Sequence, residues 1–175
     1  IPMPRTQIKI VDFNNREILP LESEGEIVIK SPSLMRGYWK NPEANQKDIV
    51  DGWFHTGDIG MLDERGYLHY LGRTKEMLKL KGMSVFPSEI ETLLAMHPAI
   101  EASGVIGRID PEKGEVPVAF IKLDSEFAGQ VSAKDLVNWC LENMSIYKVP
   151  EIKIVDTFPM TDTGKVKKNE LKDLL

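Results

Sequence analysis

The chain has 175 residues, enough for one domain of usual size or for two smaller units. Its net charge of −5 gives no electrostatic case for nucleic acid or an anionic membrane as the main partner. No apolar run approaches the ~20 residues that span a bilayer. The single cysteine, Cys140, cannot form an internal disulfide, which favours an intracellular setting.

The first 71 residues alternate apolar and polar side chains in short runs, a pattern typical of β-strands. Arg65-Gly66 indicates a hairpin turn before the last of these runs. Only about one turn of helix is expected in this half. The predicted strands include residues 7–12, 26–30 and 67–71.

The second half alternates predicted strands with amphipathic helices. Ser88-Glu89-Ile90-Glu91 is a capping-box pattern, so we expect a helix to begin at Ser88 and to run to about His97. Ser132, followed by Asp135, predicts a second helix, and a third helix is expected to close the chain. Between them lie predicted strands at residues 103–107, 116–123 and 152–155.

Residues 72–91 join the two halves. Met77-Leu78-Lys79-Leu80 predicts a short strand, and Gly82 predicts a tight turn because glycine takes positive φ without steric cost. We expect the boundary between a β-rich part, residues 1–74, and a compact α+β part, residues 75–175, at Lys75. The predicted fold class is therefore α+β, the second part having a small sheet and about three helices.

No local pattern predicts a metal site or a phosphate loop. The three histidines have no ligand spacing to one another or to Cys140, so a zinc site is not expected. Gly164-Lys165 lacks both the earlier glycine and the following hydroxyl residue of a Walker loop.

Three single residues in turn regions each allow two interpretations. Asp58 either stabilises its own turn or accepts hydrogen bonds from the vicinal hydroxyls of a ribose. Arg73 is either a surface ion-pair partner or a clamp on hydroxyl or phosphate oxygens. Lys165 is either solvated or a cation that stabilises charge developing during group transfer. The residues alone indicate a two-part α/β protein and leave open whether it binds an anion.

Five motifs follow one another along the chain, at residues 37–43, 51–58, 72–91, 147–150 and 159–165. The second ends in Trp53-Phe54-His55-Thr56-Gly57-Asp58, the third begins Gly72-Arg73-Thr74-Lys75-Glu76, and the last ends in Thr163-Gly164-Lys165. In order and spacing they resemble the C-terminal portion of the adenylate-forming superfamily. That superfamily includes acyl-CoA synthetases, peptide-synthetase adenylation domains and luciferases.

The resemblance implies a two-step reaction. A carboxylate attacks the α-phosphate of ATP-Mg to give an acyl-adenylate and pyrophosphate, and coenzyme A then displaces AMP. It implies that Asp58 holds the ribose hydroxyls, that Arg73 assists at the nucleotide and that Lys165 stabilises the adenylation transition state.

The resemblance also implies that the C-terminal part rotates between the two half-reactions about a hinge at Lys75. Lys79 and the turn formed by Lys81 and Gly82 would then face the active site only during thioester formation.

Within the family, Lys75, Lys81-Gly82 and Thr163-Gly164-Lys165 look most like a medium- or long-chain fatty acyl-CoA or aryl-CoA ligase. One alternative is an adenylating domain that acts on another acid or on a carrier protein, or a luciferase-like oxygenase. A non-catalytic module that binds a nucleotide or a partner is the other.

The family's Ser/Thr/Gly-rich phosphate loop, its Tyr-x-Thr-Glu motif and its acyl pocket all lie N-terminal to the residues present. We therefore expect a fragment that cannot form an acyl-adenylate alone, with ATP and Mg held mainly by the missing part. The expected partners are a small carboxylic acid, ATP and coenzyme A, with no nucleic acid. The expected location is cytoplasmic, with room for peripheral membrane association through a lipid substrate; the sequence leaves the oligomeric state open.

Overall fold

The structure, a computed structural model, describes residues 4–162 and 166–175. It divides into two compact units, Ile1–Lys75 and Glu76–Leu175. Each unit has its own β-sheet, and four α-helices are present in the described residues, so the predicted α+β fold class is confirmed. The hinge role of Lys75, and the assignment of the units to domains of a longer enzyme, stay predictions.

The first unit is an antiparallel sheet of five strands: β1 (Gln7–Val11), β2 (Gly25–Lys30), β3 (Ile49–Val50), β4 (Trp53–Leu62) and β5 (Leu68–Arg73). The central strand, β4, pairs with β2, β3 and β5, and β1 pairs with β2 on the far side. The one helix described in this unit, α1 (Pro42–Asp48), is capped by Asn41, whose side chain accepts a hydrogen bond from the Ala44 N–H.

The second unit contains a mixed sheet of five strands: β6 (Leu78–Leu80), β7 (Met83–Val85), β8 (Ile100–Asp110), β9 (Gly114–Leu123) and β10 (Glu151–Ile154). The central strand, β9, pairs antiparallel with β8 and β6 and parallel with β10, while β7 extends the sheet beyond β6. The helices are α2 (Pro87–Leu94), α3 (Ala133–Asn143) and α4 (Lys168–Leu171).

The core of the second unit lies on both faces of β9. Ala119 and Ile121 belong to the larger cluster, which includes buried side chains of α2 and α3. Val118 and Phe120 belong to a smaller cluster that contains Leu171 of α4. Because successive residues of a strand point to opposite faces, four consecutive apolar residues can supply two cores at once.

The two predicted helix starts have different outcomes. The predicted helix start at Ser132 is confirmed, and the structure adds a capping box: the Ser132 hydroxyl accepts from the Asp135 N–H, and the Asp135 carboxylate accepts from the Ser132 N–H. The predicted start at Ser88 is wrong, because α2 begins at Pro87 with Phe86 as N-cap and no side-chain cap. Proline suits the first helical position, since its φ is already helical and it has no N–H to satisfy.

Cys140 lies on the buried face of α3, where its side chain is fully enclosed. Burial raises the pKa of its thiol to about 11. Within the part of the chain that the structure describes, no helix is both long and apolar enough to cross a membrane.

The β6–β7 hairpin turns through Lys81 and Gly82 alone. Both residues have positive φ, 48° and 83°, as a two-residue type I′ turn requires. The sequence predicts this conformation for Gly82, but it does not predict it for Lys81. A lysine there adopts a left-handed conformation that side chains with a Cβ seldom take.

We predict that Gly82→Ala lowers the free energy of unfolding of the second unit by about 1–2 kcal/mol. No atom lies within 4 Å of the position a Cβ would take, so backbone strain is the sole cause. Gly82→Asn is the control, because asparagine tolerates positive φ better than alanine does. Urea unfolding followed by circular dichroism measures both; equal losses for the two variants would contradict this reading of the turn.

Candidate functional site

Asp58 and Arg73 face each other in the first unit because β4 and β5 pair in register at these two residues. The Arg73 Nε lies 2.9 Å from the Asp58 Oδ1. This contact is a close ion pair without hydrogen-bond alignment, since the buried Asp58 Oδ1 has no hydrogen-bond partner among the described residues. The Asp58 Oδ1 is therefore paired with Arg73 by charge, without an aligned hydrogen bond.

The turn that carries Asp58 is held by side chains of the neighbouring strand and of the turn itself. One Glu26 oxygen accepts from the Gly57 N–H at 3.1 Å, and the other lies 2.8 Å from the His55 Nδ1. The Thr56 hydroxyl donates to the Ile27 carbonyl and accepts from the Asp58 N–H. The Asp58 backbone is thereby fixed without use of its own carboxylate.

Gly57 has a φ of 68° and no atom within 4 Å of the position a Cβ would take. Glycine is needed here for its backbone conformation rather than for space. The positive φ turns the chain within β4, between His55 and Asp58. This is the local reason that a glycine precedes the carboxylate.

The second unit carries Lys79, Lys81 and Gly82 on the exposed β6–β7 hairpin. The Lys79 Nζ donates to the Ser84 hydroxyl at 3.0 Å, and its backbone N–H donates to the Glu115 carboxylate. No ion pair of Lys79 is found among the described residues. A hydroxyl partner leaves the lysine charge uncompensated, so Lys79 is a cation available to an anionic ligand.

A groove of about 280 Å³ lies beside this hairpin. Leu80, Met83 and Ile146 give it apolar walls, while Lys81 and Lys113 supply positive charge. The Lys81 N–H donates to the Lys113 carbonyl at 2.8 Å, which fixes the two lysine-bearing turns to each other.

The structure gives less information on the two remaining predicted site residues, Lys75 and Lys165. Lys75 is exposed in the 3₁₀ turn Thr74–Glu76, and Lys165 lies outside the described residues. Among described residues, no group of three or more His, Cys, Asp and Glu side chains could hold a metal ion.

Sequence reasoning missed two residues with several polar contacts. Glu26 fixes the Asp58 turn, and Lys168 joins Glu76 to Glu91. Both act on residues far away along the chain, so no local spacing marks them. Lys168 lies three residues after the fifth motif, which is a weak signal, whereas Glu26 lies in none of the motifs.

Two family models match the chain. Residues 89–165 match the AMP-binding enzyme C-terminal domain, and residues 1–39 match the AMP-binding enzyme family. A 2-succinylbenzoate–CoA ligase of Bacillus cytotoxicus is 38% identical over 91% of this chain and 32% of its own length. A long-chain-fatty-acid–CoA ligase of Escherichia coli is 35% identical over 99% of this chain and 30% of its own length. The chain thus spans about a third of the length of these curated relatives.

Solved structures with a similar fold include enzymes of known activity. The o-succinylbenzoate–CoA synthetase of Bacillus subtilis, in complex with its acyl-adenylate intermediate, aligns with a TM-score of 0.90 at 34% identity. The alignment covers 98% of this chain and 34% of the synthetase. The same synthetase has also been solved with ATP and magnesium ion.

We predict that Glu26→Ala lowers the free energy of unfolding by about 1–3 kcal/mol, because it leaves the Gly57 N–H and the His55 ring nitrogen without their partner in a largely buried place. Glu24→Ala is the matched control, since it removes the same charge from an exposed position two residues away. Urea denaturation of the two variants tests this. A loss no larger than that of Glu24→Ala would show that Glu26 does not hold the turn.

Proposed function

The chain belongs to the adenylate-forming, AMP-binding enzyme superfamily and corresponds to its C-terminal portion, and from this premise we propose that it is part of an ATP-dependent acid–thiol ligase. The reaction joins a carboxylic acid to coenzyme A, with ATP converted to AMP and pyrophosphate. An acyl-adenylate is the intermediate, and ATP, Mg and coenzyme A are the cosubstrates and cofactor.

The observation that carries this proposal is the placement of the Asp58 carboxylate: its backbone is fixed by the Thr56 hydroxyl, and its side chain stays 27% accessible. A carboxylate has two acceptor oxygens, which suits a pair of vicinal hydroxyls, each of which donates one hydrogen bond. Arg73 lies beside this carboxylate and remains largely exposed, with a side chain 59% accessible. Asp58 thus holds the ribose, while Arg73 contacts the nucleotide.

The two half-reactions use different groups of the second unit. Lys165 stabilises the negative charge that develops as the carboxylate attacks the α-phosphate. Lys79, with the Lys81-Gly82 turn, serves thioester formation, in which coenzyme A brings several phosphate charges. Rotation about Lys75 exchanges one set for the other, since a few backbone dihedrals suffice for such hinge motion.

The chain requires further residues to complete this reaction. We assign ATP and Mg mainly to residues of a longer protein, because the relatives are about three times as long as this chain.

We predict that Lys165→Ala abolishes adenylation, whereas Lys79→Ala mainly slows thioester formation. The complete natural protein is assayed by pyrophosphate–ATP exchange for the first step and by thioester release from supplied acyl-adenylate for the second. Lys134→Ala, an exposed lysine of α3, is the control for loss of one positive charge. Equal losses in both steps for Lys79→Ala would contradict the division of roles.

A fatty acid of medium or long chain is the proposed acid. Support comes from the Lys81-Gly82 turn and from the long-chain-fatty-acid–CoA ligases among the relatives. The 2-succinylbenzoate ligases among the relatives favour an aryl acid as the second candidate.

We predict that the complete protein forms thioesters from dodecanoate or hexadecanoate faster than from 2-succinylbenzoate or coumarate, measured as kcat/KM for each acid. The 175-residue chain by itself is expected to give no pyrophosphate–ATP exchange with any of them. Preference for 2-succinylbenzoate would overturn the fatty-acid proposal while leaving the ligase proposal intact. Exchange by the chain alone would contradict its dependence on further residues.

A further inference from the structure

Lys168, the first residue of α4, reaches two carboxylates on two other elements. Its Nζ lies 2.7 Å from the Glu76 Oε2 and 2.9 Å from the Glu91 Oε1. Glu76 ends the 3₁₀ turn directly after Lys75, and Glu91 lies in α2. One ammonium group therefore ties α4 to α2 and to the first residue of the second unit.

Lys168, Glu76 and Glu91 are only partly exposed, so each charge depends on its partners for stabilisation. Burial alone would lower the pKa of Lys168, but the hydrogen bonds and charges of Glu76 and Glu91 outweigh it and leave that pKa raised. Glu91 is anchored in turn, because its Oε1 also accepts from the Val105 N–H at 2.7 Å. Removal of the lysine would leave two carboxylates facing each other in a half-buried place.

The same lysine lies at the end of the segment that contains Lys165. Met160 and Val166 form an antiparallel bridge, and the Lys167 N–H donates to the Pro159 carbonyl at 2.8 Å. These backbone contacts join the two flanks of that segment. We call these joined flanks, Pro159–Met160 and Val166–Lys167, the base of the segment. The side chain of the next residue, Lys168, ties this base to Glu76 and Glu91.

We propose that Lys168 is a positioning residue for adenylation, which holds the base of the Lys165 segment against Glu76 and Glu91. This rests on the proposed function of Lys165. The proposed function assigns none of the three cluster residues to a substrate contact. Their effect comes through placement, since a small displacement of a reacting group lowers the rate steeply.

The neighbouring residue provides a matched control. Lys167 also forms an ion pair, with the Glu170 Oε1 at 3.0 Å, but the two residues lie three positions apart at α4 and both are about half exposed. That pair ties the helix only to itself, and surface pairs of this type contribute little. Lys167→Ala removes one lysine and one ion pair without loosening the segment from its supports.

The experiment compares Lys168→Ala, Lys168→Arg and Lys167→Ala in the complete natural protein, well below its melting temperature. We expect Lys168→Ala to lower kcat of pyrophosphate–ATP exchange by roughly 10- to 100-fold with little change in KM for ATP. Thioester formation from supplied acyl-adenylate should stay within about twofold, because it uses the other set of groups. Lys168→Arg should recover most of the exchange rate, and Lys167→Ala should match the unaltered protein.

A second pair of variants, in which the charges are exchanged, keeps the test decisive if Lys168→Ala does not fold. Glu76→Lys alone should slow exchange, and Glu76→Lys combined with Lys168→Glu should restore part of it, because the lysine then lies between the carboxylates of residues 91 and 168.

Three outcomes would overturn the positioning role: equal slowing of both half-reactions, a lowered melting temperature without loss of exchange, or no recovery with either Lys168→Arg or the exchanged pair. Lys165→Ala is assayed in parallel. An unaffected exchange rate in that variant would refute the proposed function itself, which separates the two failures.

Discussion

The double burial of β9 is the constraint on which the second unit depends. Its consecutive residues Val118, Ala119, Phe120 and Ile121 are almost fully enclosed, and they alternate between a core shared with α2 and α3 and a core that contains Leu171. The strand also bonds to three other strands. The helices, the β6–β7 hairpin and the C-terminal segment thus all pack against or pair with one strand. This strand fixes the position of the hairpin lysines relative to α4.

Polar contacts between distant elements then set the finer geometry. Glu26 reaches from β2 to the turn before Asp58, and Lys168 reaches from α4 to Glu76 and Glu91. In each case a partly buried charge has at least two partners, which makes its orientation specific as well as stable. Two residues proposed to act on substrates are less tied to the chain: the Asp58 Oδ1 accepts no aligned hydrogen bond from the described residues, and the Lys79 Nζ has a hydroxyl rather than a carboxylate as its partner.

What the sequence predicts well is local. The capping box at Ser132 and the glycine turn at Gly82 follow from the residues that form them, and both are found. The start of α2 was misplaced by one residue because Pro87 and Ser88 both favour a helix start, and the proline determined it. Glu26 and Lys168 could not be found, since their partners lie 31 and 92 residues away and only strand register and packing bring them together. The roles of Asp58, Arg73 and Lys165 came from the order of the motifs rather than from physics.

The buried thiol of Cys140 has a practical consequence. With a pKa of about 11 and no exposed surface, it is the one cysteine in the chain, and it is shielded from reagents that attack thiolates. At neutral pH only about one such thiol in ten thousand is ionised. A cysteine introduced on the Lys81 turn and another in the first unit would therefore take up spectroscopic labels selectively with the native residue in place. The proposed movement of one unit against the other could then be tested by distance measurement without removal of the native cysteine.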